Sequence, residues 1–253
     1  MTDSTYTSIS PDPHQPEKQM HTYEYPRPAV TVDCVVFGYD LDTEELSVLA
    51  IKRGEDPHKG GWALPGGFVE IDEPLETAAA RELEEETGLD DIYLEQLFTF
   101  GSPQRDPRGR IISVAYYALV DTQNHDPEGG SDAAKAQWVA ASKLEQHEID
   151  MAFDHQQVFD TALKRLRAKV TYSPVGFEML PDLFTMRQVQ RLHETILDTS
   201  LDRRMFRYKM DKLGIIEKTD QKEENVNHRP ACLYRLKEST YTRYVEEAYP
   251  FEL

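Results

Sequence analysis

The first half of the chain, up to Gly101, alternates short apolar runs with turn residues. These runs have the length of strands and are rich in β-branched and aromatic residues, which is typical of a sheet. We predict strands at residues 29–37, 46–52, 62–64, 66–69 and 93–100. A helix interrupts them from about Pro74 to Thr87, with Asp72 as its predicted cap and Gly88 at its end. Two further strands, at 111–120 and 137–140, and a helix at 154–170 complete an α/β region.

After Pro174 the pattern changes to short helices with apolar residues at helical spacing. Thr185 is the predicted N-cap of the first helix, while Asp202 caps the second helix and Gly214 ends it. The buried stripe of the second helix is predicted to consist of Met205, Phe206, Met210 and Leu213. Two short strands follow, at 215–216 and 233–236, around a charged loop. This order of helix, turn, helix and two strands is that of a winged helix-turn-helix.

The length of 253 residues fits two domains of ordinary size. We expect a disordered tail over residues 1–25, an α/β domain over 26–172 and a winged domain over 173–253. The two cysteines form neither a CxxC pair nor a disulfide framework, which indicates a reducing compartment, by default the cytoplasm. The sequence has neither a long apolar run nor a signal-peptide pattern, so no membrane association is expected.

Charge is divided unevenly along the chain. The net charge of −18 argues against binding of nucleic acid by the whole surface. Residues 161–253, however, contain 17 Lys and Arg against 14 Asp and Glu, and residues 1–160 contain 11 against 32. The two parts of the chain are therefore expected to meet different partners.

The predicted helix at 74–87 places carboxylates beside its own apolar face. On a helical wheel Glu82 and Glu86 fall within the stripe formed by Leu75, Ala79 and Leu83. This stripe must pack against the rest of the fold, so the last turn of the helix brings negative charge toward the interior. Buried like charges are costly unless a cation compensates them.

Two kinds of cation could compensate these carboxylates. Arg81 precedes Glu85 by four residues, which allows an ion pair, but one arginine cannot neutralise three carboxylates. A hard divalent cation, Mg²⁺ or Mn²⁺, bound by Glu82, Glu85 and Glu86 would do so. The alternative is that a Glu-rich helix is only a solvated face. The placement of two glutamates among apolar residues argues against that alternative.

Residues 67–89 resemble a complete Nudix box. The matching positions are Gly67, Glu73, Arg81, Glu82, Glu85, Glu86, Gly88 and Leu89. The resemblance implies an α/β/α sandwich with a mixed sheet, in which Glu82, Glu85 and Glu86 ligate Mg²⁺ with help from the backbone at Gly66 or Gly67. It also implies catalytic positions at Glu73 and Arg81, and a nucleoside diphosphate derivative that is cleaved by water at its pyrophosphate.

The general base of such a reaction has three candidates. Some Nudix proteins use a carboxylate in a loop after the box, and here Asp126, Glu128 or Asp132 could serve. We favour Asp132, which lies six residues before Trp138. The alternative for each of them is an ordinary charge of a solvated acidic loop.

Several bases are candidates for binding phosphate. Lys52, Arg53 and Lys59 flank the approach to the glycines at 66 and 67, although ordinary surface bases would look the same. Residues 104–110 place three arginines in one turn, and this segment resembles one in Nudix regulators that handle ADP-ribose. From these bases we expect Arg53, Arg105 and Arg108 to bind the substrate.

The second helix of the winged region is strongly basic. Residues 202–212 contain five bases and two acids, and we expect Arg203, Arg204, Arg207 and Lys209 to face double-stranded DNA. The alternatives are that this basic helix is only a solvated charged face, or that the winged region is a dimerisation module. The uneven distribution of charge along the chain favours DNA binding.

A Nudix domain followed by a winged helix is similar to the Nudix-related transcriptional regulators of NAD metabolism, which sense ADP-ribose and repress cofactor-synthesis genes. Residues 180–185, 201–207 and 229–236 carry this likeness. We expect a Mg²⁺-dependent hydrolase of ADP-ribose or a similar compound, joined to a DNA-binding domain and forming a homodimer. The alternative is a repressor that senses ADP-ribose or a sugar with little turnover. A third possibility, a non-catalytic dimerisation protein, leaves the buried glutamates unexplained.

Overall fold

The computed structural model describes residues 25–125, 127, 133–224, 227 and 229–245. Within these residues a sheet of seven strands forms the centre of the α/β region. The strands are β1 (Ala29–Asp40), β2 (Glu45–Arg53), β3 (Trp62–Ala63), β4 (Gly66–Phe68), β5 (Glu95–Phe100), β6 (Ile111–Asp121) and β7 (Ala133–Ala140). Their order is β3-β2-β1-β6-β5, with β4 on β1 and β7 on β2, and β1 pairs β6 in parallel. The sheet is therefore mixed, as predicted.

Helices cover both faces of this sheet. Helix α1 (Leu75–Thr87) packs Ala78, Ala79 and Leu83 on one face. Helices α2 (Ala141–Glu145) and α3 (His155–Tyr172) pack on the other face. The predicted α/β/α sandwich is confirmed, because each face of the sheet has its own layer of buried apolar side chains.

A 3₁₀ helix (Pro174–Met179) leads into the winged region. This region contains β8 (Phe184–Thr185), α4 (Met186–Leu197), α5 (Arg203–Leu213), β9 (Ile216–Lys222), β10 (Cys232–Leu236) and α6 (Glu238–Val245). The three strands pair in the order β8-β10-β9, and this small sheet follows the two helices as in a winged helix. The predicted winged helix-turn-helix is confirmed.

The predicted start of α4 and both predicted ends of α5 are confirmed by the structure. The Thr185 side chain accepts from the Gln188 backbone N–H in a capping box. The Asp202 side chain accepts from the Met205 N–H at 2.8 Å, and Gly214 ends α5 in the left-handed conformation. These caps satisfy backbone groups that would otherwise lack partners at the helix ends.

Other local predictions were wrong. Pro74, and not Asp72, occupies the cap position of α1, without a side-chain cap. The charged loop predicted after residue 216 begins instead as strand β9, because its backbone pairs with β10. Met205 is exposed, so the buried stripe of α5 is narrower than predicted. Pairing with a distant strand decides the extent of β9, and the local pattern does not contain that information.

One hydrophobic core continues from the sheet into the winged region. It joins Val35 of β1, Leu166 of α3, Phe177 of the 3₁₀ helix, Leu192 of α4 and Phe206 of α5. Helix α3 lies between the sheet and the winged region and contributes to both. In the part of the chain that the structure describes, no helix is long and apolar enough to cross a membrane.

Candidate functional site

The glycine turn, which we define as residues 64–67, lies against the last turn of α1. Gly66 has a φ of 152°, and a Cβ there would lie 2.1 Å from the Val32 carbonyl oxygen, so only glycine fits. A Cβ at Gly67 would lie 2.4 Å from the Glu82 carboxylate. The Gly66 N–H donates a hydrogen bond of 2.8 Å to Glu86. The turn thus holds two carboxylates of α1 against the backbone.

These two carboxylates lie in a partly buried environment. Burial raises the pKa of Glu86 to about 8, with the charge of Glu82 adding to the increase and the Gly66 hydrogen bond opposing it. Burial also raises the pKa of Glu82, although Arg81 acts in the opposite direction. A further cation would relieve this cost of burying like charges.

Arg81 connects the helix to the segment before it. It binds Glu73 at 2.7 Å, Glu82 at 2.9 Å and Glu85 at 3.2 Å. Its hydrogen bonds lower the pKa of Glu73, which also accepts from the Glu70 N–H. The predicted pair with Glu85 is present, but it is the longest of the three. Arg81 therefore positions carboxylates from two segments.

The donor set at this turn fits a divalent cation. Glu82 and Glu86 are oxygen donors whose raised pKa values have burial as their largest cause, and Glu85 is half exposed beside Arg81. Among the described residues, no group of three or more acidic, His or Cys side chains is already gathered closely enough to hold a metal ion. Arg81 holds both Glu82 and Glu85 through the same nitrogen, so binding of a cation by all three glutamates requires these side chains to rearrange.

Two of the predicted substrate-binding arginines meet at an aromatic ring. The Arg53 guanidinium lies 4.8 Å from the centre of the Phe153 ring, and that of Arg108 lies 5.3 Å from it. Burial and the charge of Arg108 lower the pKa of Arg53, while Glu86 opposes this effect. Arg108 is also paired with Asp106 at 2.7 Å, whereas Arg53 has no carboxylate at ion-pair distance among the described residues. The two cations on one ring near the carboxylates of α1 suit an anionic ligand, with Arg53 the less engaged of the two.

The sequence does not indicate that Phe153 belongs to this site. It stands just before α3 with a φ of 53°, in the left-handed region that bulky residues rarely adopt. His58 touches the same ring edge-on, with the ring centres 4.8 Å apart. A single aromatic residue in a charged loop gives no local sign of this role.

Arg105 occupies a different place from Arg53 and Arg108. It is 7% exposed and binds Asp154 at 2.7 Å and Asp33 at 3.0 Å. His155 completes this cluster by accepting a hydrogen bond of 2.9 Å from the Leu64 N–H. The expectation that Arg105 binds substrate is not supported by this placement, because both of its partners are internal carboxylates. We assign Arg105 to the scaffold beneath the glycine turn.

The remaining candidates at this site divide into two groups. Lys52 donates to the Gly60 carbonyl and lies over the Trp62 ring, and Lys59 is exposed. Asp126, Glu128 and Asp132, the three candidates for the general base, lie outside the described residues. The identity of the base stays a prediction.

Helix α5 presents most of its bases to solvent. Arg203 and Arg204 are exposed, Lys209 is half-buried, and Arg207 donates to the Tyr234 hydroxyl on β10 at 3.2 Å. Tyr208 and Met205 lie on the exposed side with them. The buried side of the helix consists of Phe206 and Met210. This surface has the charge and position expected of a recognition helix.

Comparisons with known proteins agree with this geometry. Residues 27–162 match the model of the NUDIX domain, and residues 176–236 match that of the NrtR DNA-binding winged helix domain. The chain is 38% identical over 221 residues to the ADPR responsive transcriptional repressor NtrR of Acinetobacter baylyi, and the match covers 86% of each chain.

Two further relatives resemble the whole chain and its first domain. The crystal structure of Shewanella oneidensis NrtR complexed with a 27mer DNA has a TM-score of 0.74 at 34% identity, covering 88% of this chain and 97% of that one. An ADP-ribose pyrophosphatase of Methanocaldococcus jannaschii is 38% identical over 134 residues, which are 53% of this chain and 72% of the relative. The chain therefore belongs to the NUDIX family, in the group whose NUDIX domain is joined to an NrtR winged helix domain.

Proposed function

We propose that this protein is a transcriptional regulator that binds double-stranded DNA through its winged helix and ADP-ribose through its NUDIX domain. The position of α3 carries the proposal. Asp154 and His155, at its first turn, contact the scaffold of the glycine turn. Near its other end Arg167 donates a hydrogen bond of 2.9 Å to the carbonyl of Ile196 in α4. One helix thus contacts both the ligand site and the DNA-binding region.

The ligand site suits the diphosphate of ADP-ribose. The guanidinium groups of Arg53 and Arg108 lie beside the Phe153 ring, and Arg53 interacts electrostatically with Glu86 of α1. Arginine matches the geometry of phosphate oxygens. The description of the Acinetobacter relative as ADPR responsive supports this choice of ligand.

DNA binding is proposed for the exposed side of α5, with Arg203, Arg204, Arg207 and Lys209 as its bases. The Shewanella relative was crystallised in complex with DNA, which supports this assignment. We further propose a homodimer, because paired recognition helices read the two halves of a two-fold DNA site. For ligand control, ADP-ribose must bind the DNA-competent and DNA-incompetent states with different affinity.

A second candidate function is hydrolysis of ADP-ribose or a similar nucleoside diphosphate derivative. The observation that favours it is that Glu82 and Glu86 lie against the glycine turn, with Glu85 on the same turn of α1 beside Arg81. These residues, with the Gly66 backbone, would hold Mg²⁺ or Mn²⁺. Such an ion neutralises phosphate charge and acidifies water. Arg81 and Glu73 position the carboxylates, and the general base is proposed to come from the acidic loop, with Asp132 as our choice.

One experiment separates the two candidate functions. A labelled duplex from the region upstream of the protein's own gene is titrated with the full chain, with and without ADP-ribose. In parallel, Mg²⁺-dependent release of AMP from ADP-ribose is followed. DNA binding that ADP-ribose weakens, with slow or absent release, supports the regulator. Rapid release without any DNA binding at low salt leaves only the hydrolase.

A further inference from the structure

A basic groove lies between α4 and α5, apart from the ligand site. It has a volume of about 330 Å³ and is lined by Met186, Arg187, Gln190, Arg191, Glu194, Arg203 and Arg207. Four of these seven residues are arginines. Their alignment along one groove creates a local positive surface in a chain whose net charge is −18.

The only carboxylate among the lining residues is already engaged. Glu194 accepts hydrogen bonds of 2.9 Å from the Leu201 N–H and from Gln190, which hold the turn between the two helices. These bonds help to lower the pKa of Glu194 in spite of burial, so its carboxylate is charged and already has hydrogen-bond partners. Within the described residues, no carboxylate lies within ion-pair distance of Arg187 or Arg203. The groove therefore has uncompensated positive charge.

Arg191 connects this groove to the NUDIX domain. Besides Glu194 at 2.9 Å, its guanidinium contacts the Glu44 carboxylate at 3.4 Å. Glu44 lies in the turn between β1 and β2, and its carbonyl accepts a hydrogen bond of 3.2 Å from Thr195 of α4. Glu44 of the NUDIX domain thus contacts one side of the Arg191 guanidinium, which also lines the groove.

We propose that the groove binds a phosphate of the DNA backbone, and that Arg191 leaves Glu44 to bind this phosphate. This inference rests on the proposed DNA binding. An arginine fork makes two parallel hydrogen bonds to phosphate oxygens, whereas Arg191 and Glu44 are both nearly half exposed and meet at 3.4 Å. The exchange therefore costs little and adds a contact to DNA.

In this exchange a DNA phosphate and Glu44 of the NUDIX domain compete for the Arg191 side chain. Glu44 directly precedes β2, and Arg53 of the ligand site is the last residue of that strand. The Glu44 carboxylate occupies the place on Arg191 that the DNA phosphate would take. Its removal should favour the DNA-bound state without any change in the bases that face DNA.

The test measures DNA affinity by fluorescence anisotropy with the full chain. The probes are a labelled duplex of the upstream region and a random duplex of equal length, because a backbone contact is independent of sequence. Glu44→Gln should tighten binding to both duplexes roughly two- to fivefold, which is the change in affinity that the free energy of one exposed ion pair produces. Glu45→Gln is the matched control, since it removes the same charge from the neighbouring exposed position.

A double-mutant comparison isolates Arg191. Arg187→Ala and Arg191→Ala should each weaken binding and reduce the salt slope by about one. In the Arg191→Ala background, Glu44→Gln should have no further effect. The proposal is overturned if Glu44→Gln and Glu45→Gln tighten binding equally, or if Glu44→Gln still tightens it without Arg191. Failure of the wild-type chain to bind either duplex at low salt would overturn the proposed DNA binding itself.

Discussion

The carboxylate of Glu86 accepts a hydrogen bond of 2.8 Å from the backbone N–H of Gly66. This bond joins the last turn of α1 to the glycine turn, and the carboxylate that accepts it is partly buried. A glutamine at this position keeps the shape and the acceptor, but it removes the negative charge.

Glu86→Gln is therefore expected to lower Mg²⁺-dependent hydrolysis of ADP-ribose by orders of magnitude if the chain is a hydrolase. The metal-free fold should be retained, because the pKa of about 8 shows that the buried charge is unfavourable. Release of AMP and thermal melting measure the two effects. Hydrolysis at the full rate would contradict the assignment of Glu86.

Arg81→Ala should lower kcat less than Glu86→Gln does. Arg81 binds Glu73, Glu82 and Glu85 and so acts on the cation only through them. The comparison is made at saturating Mg²⁺, where weaker metal binding does not affect the rate. A larger loss from the arginine would show that it contacts the reacting groups itself.

Phe153→Leu should weaken ADP-ribose binding roughly 5- to 30-fold, because two cation–π contacts are lost and Arg53 and Arg108 are no longer held on one ring. Isothermal titration calorimetry with the wild type and the variant measures this loss. Phe98→Leu, at an exposed phenylalanine of β5, is the control and should leave the affinity unchanged. Equal affinity in all three proteins would remove Phe153 from the site.

Arg204→Ala and Arg207→Ala should both weaken DNA binding, but only the second should also destabilise the winged region. Arg204 is exposed, whereas Arg207 donates to the Tyr234 hydroxyl on β10. Each change should lower the salt slope by about one. Anisotropy and chemical unfolding together separate the two roles. Unchanged DNA affinity in Arg204→Ala would show that this side of α5 does not face DNA.

His193 should make the winged region sensitive to acid. Burial lowers its pKa to about 4, while the unfolded chain binds the same proton near pH 6.5. The contribution of neutral His193 is therefore complete above about pH 6.5 and is lost as the pH falls toward 4, on the order of 3 kcal/mol. Urea unfolding at several pH values should show a smaller loss for His193→Gln. An identical loss in both proteins would exclude His193 as its source.

The features that could be predicted from sequence depend on neighbouring residues. The caps Thr185, Asp202 and Gly214 each act on groups within about four residues, and all three are present. The carboxylate face of α1 follows from helical periodicity alone. The short strand β8 escaped prediction because its two residues are fixed only by pairing with β10.

The features that escaped prediction depend on distant residues. Arg105 is 72 positions from Asp33 and 49 from Asp154, and these two partners decide that it lies beneath the site. Arg53 and Arg108 come from separate segments and meet only on Phe153. No local pattern specifies contacts of this range, so the sequence identifies candidate residues for the site but does not predict how they are arranged.

Helix α3 has 18 residues and is therefore about 27 Å long. One inserted residue inside it would turn everything beyond the insertion by about 100° and shift it by about 1.5 Å. Arg167 could then no longer reach Ile196 while Asp154 holds Arg105. The length of α3 therefore sets the orientation of the winged helix relative to the NUDIX domain.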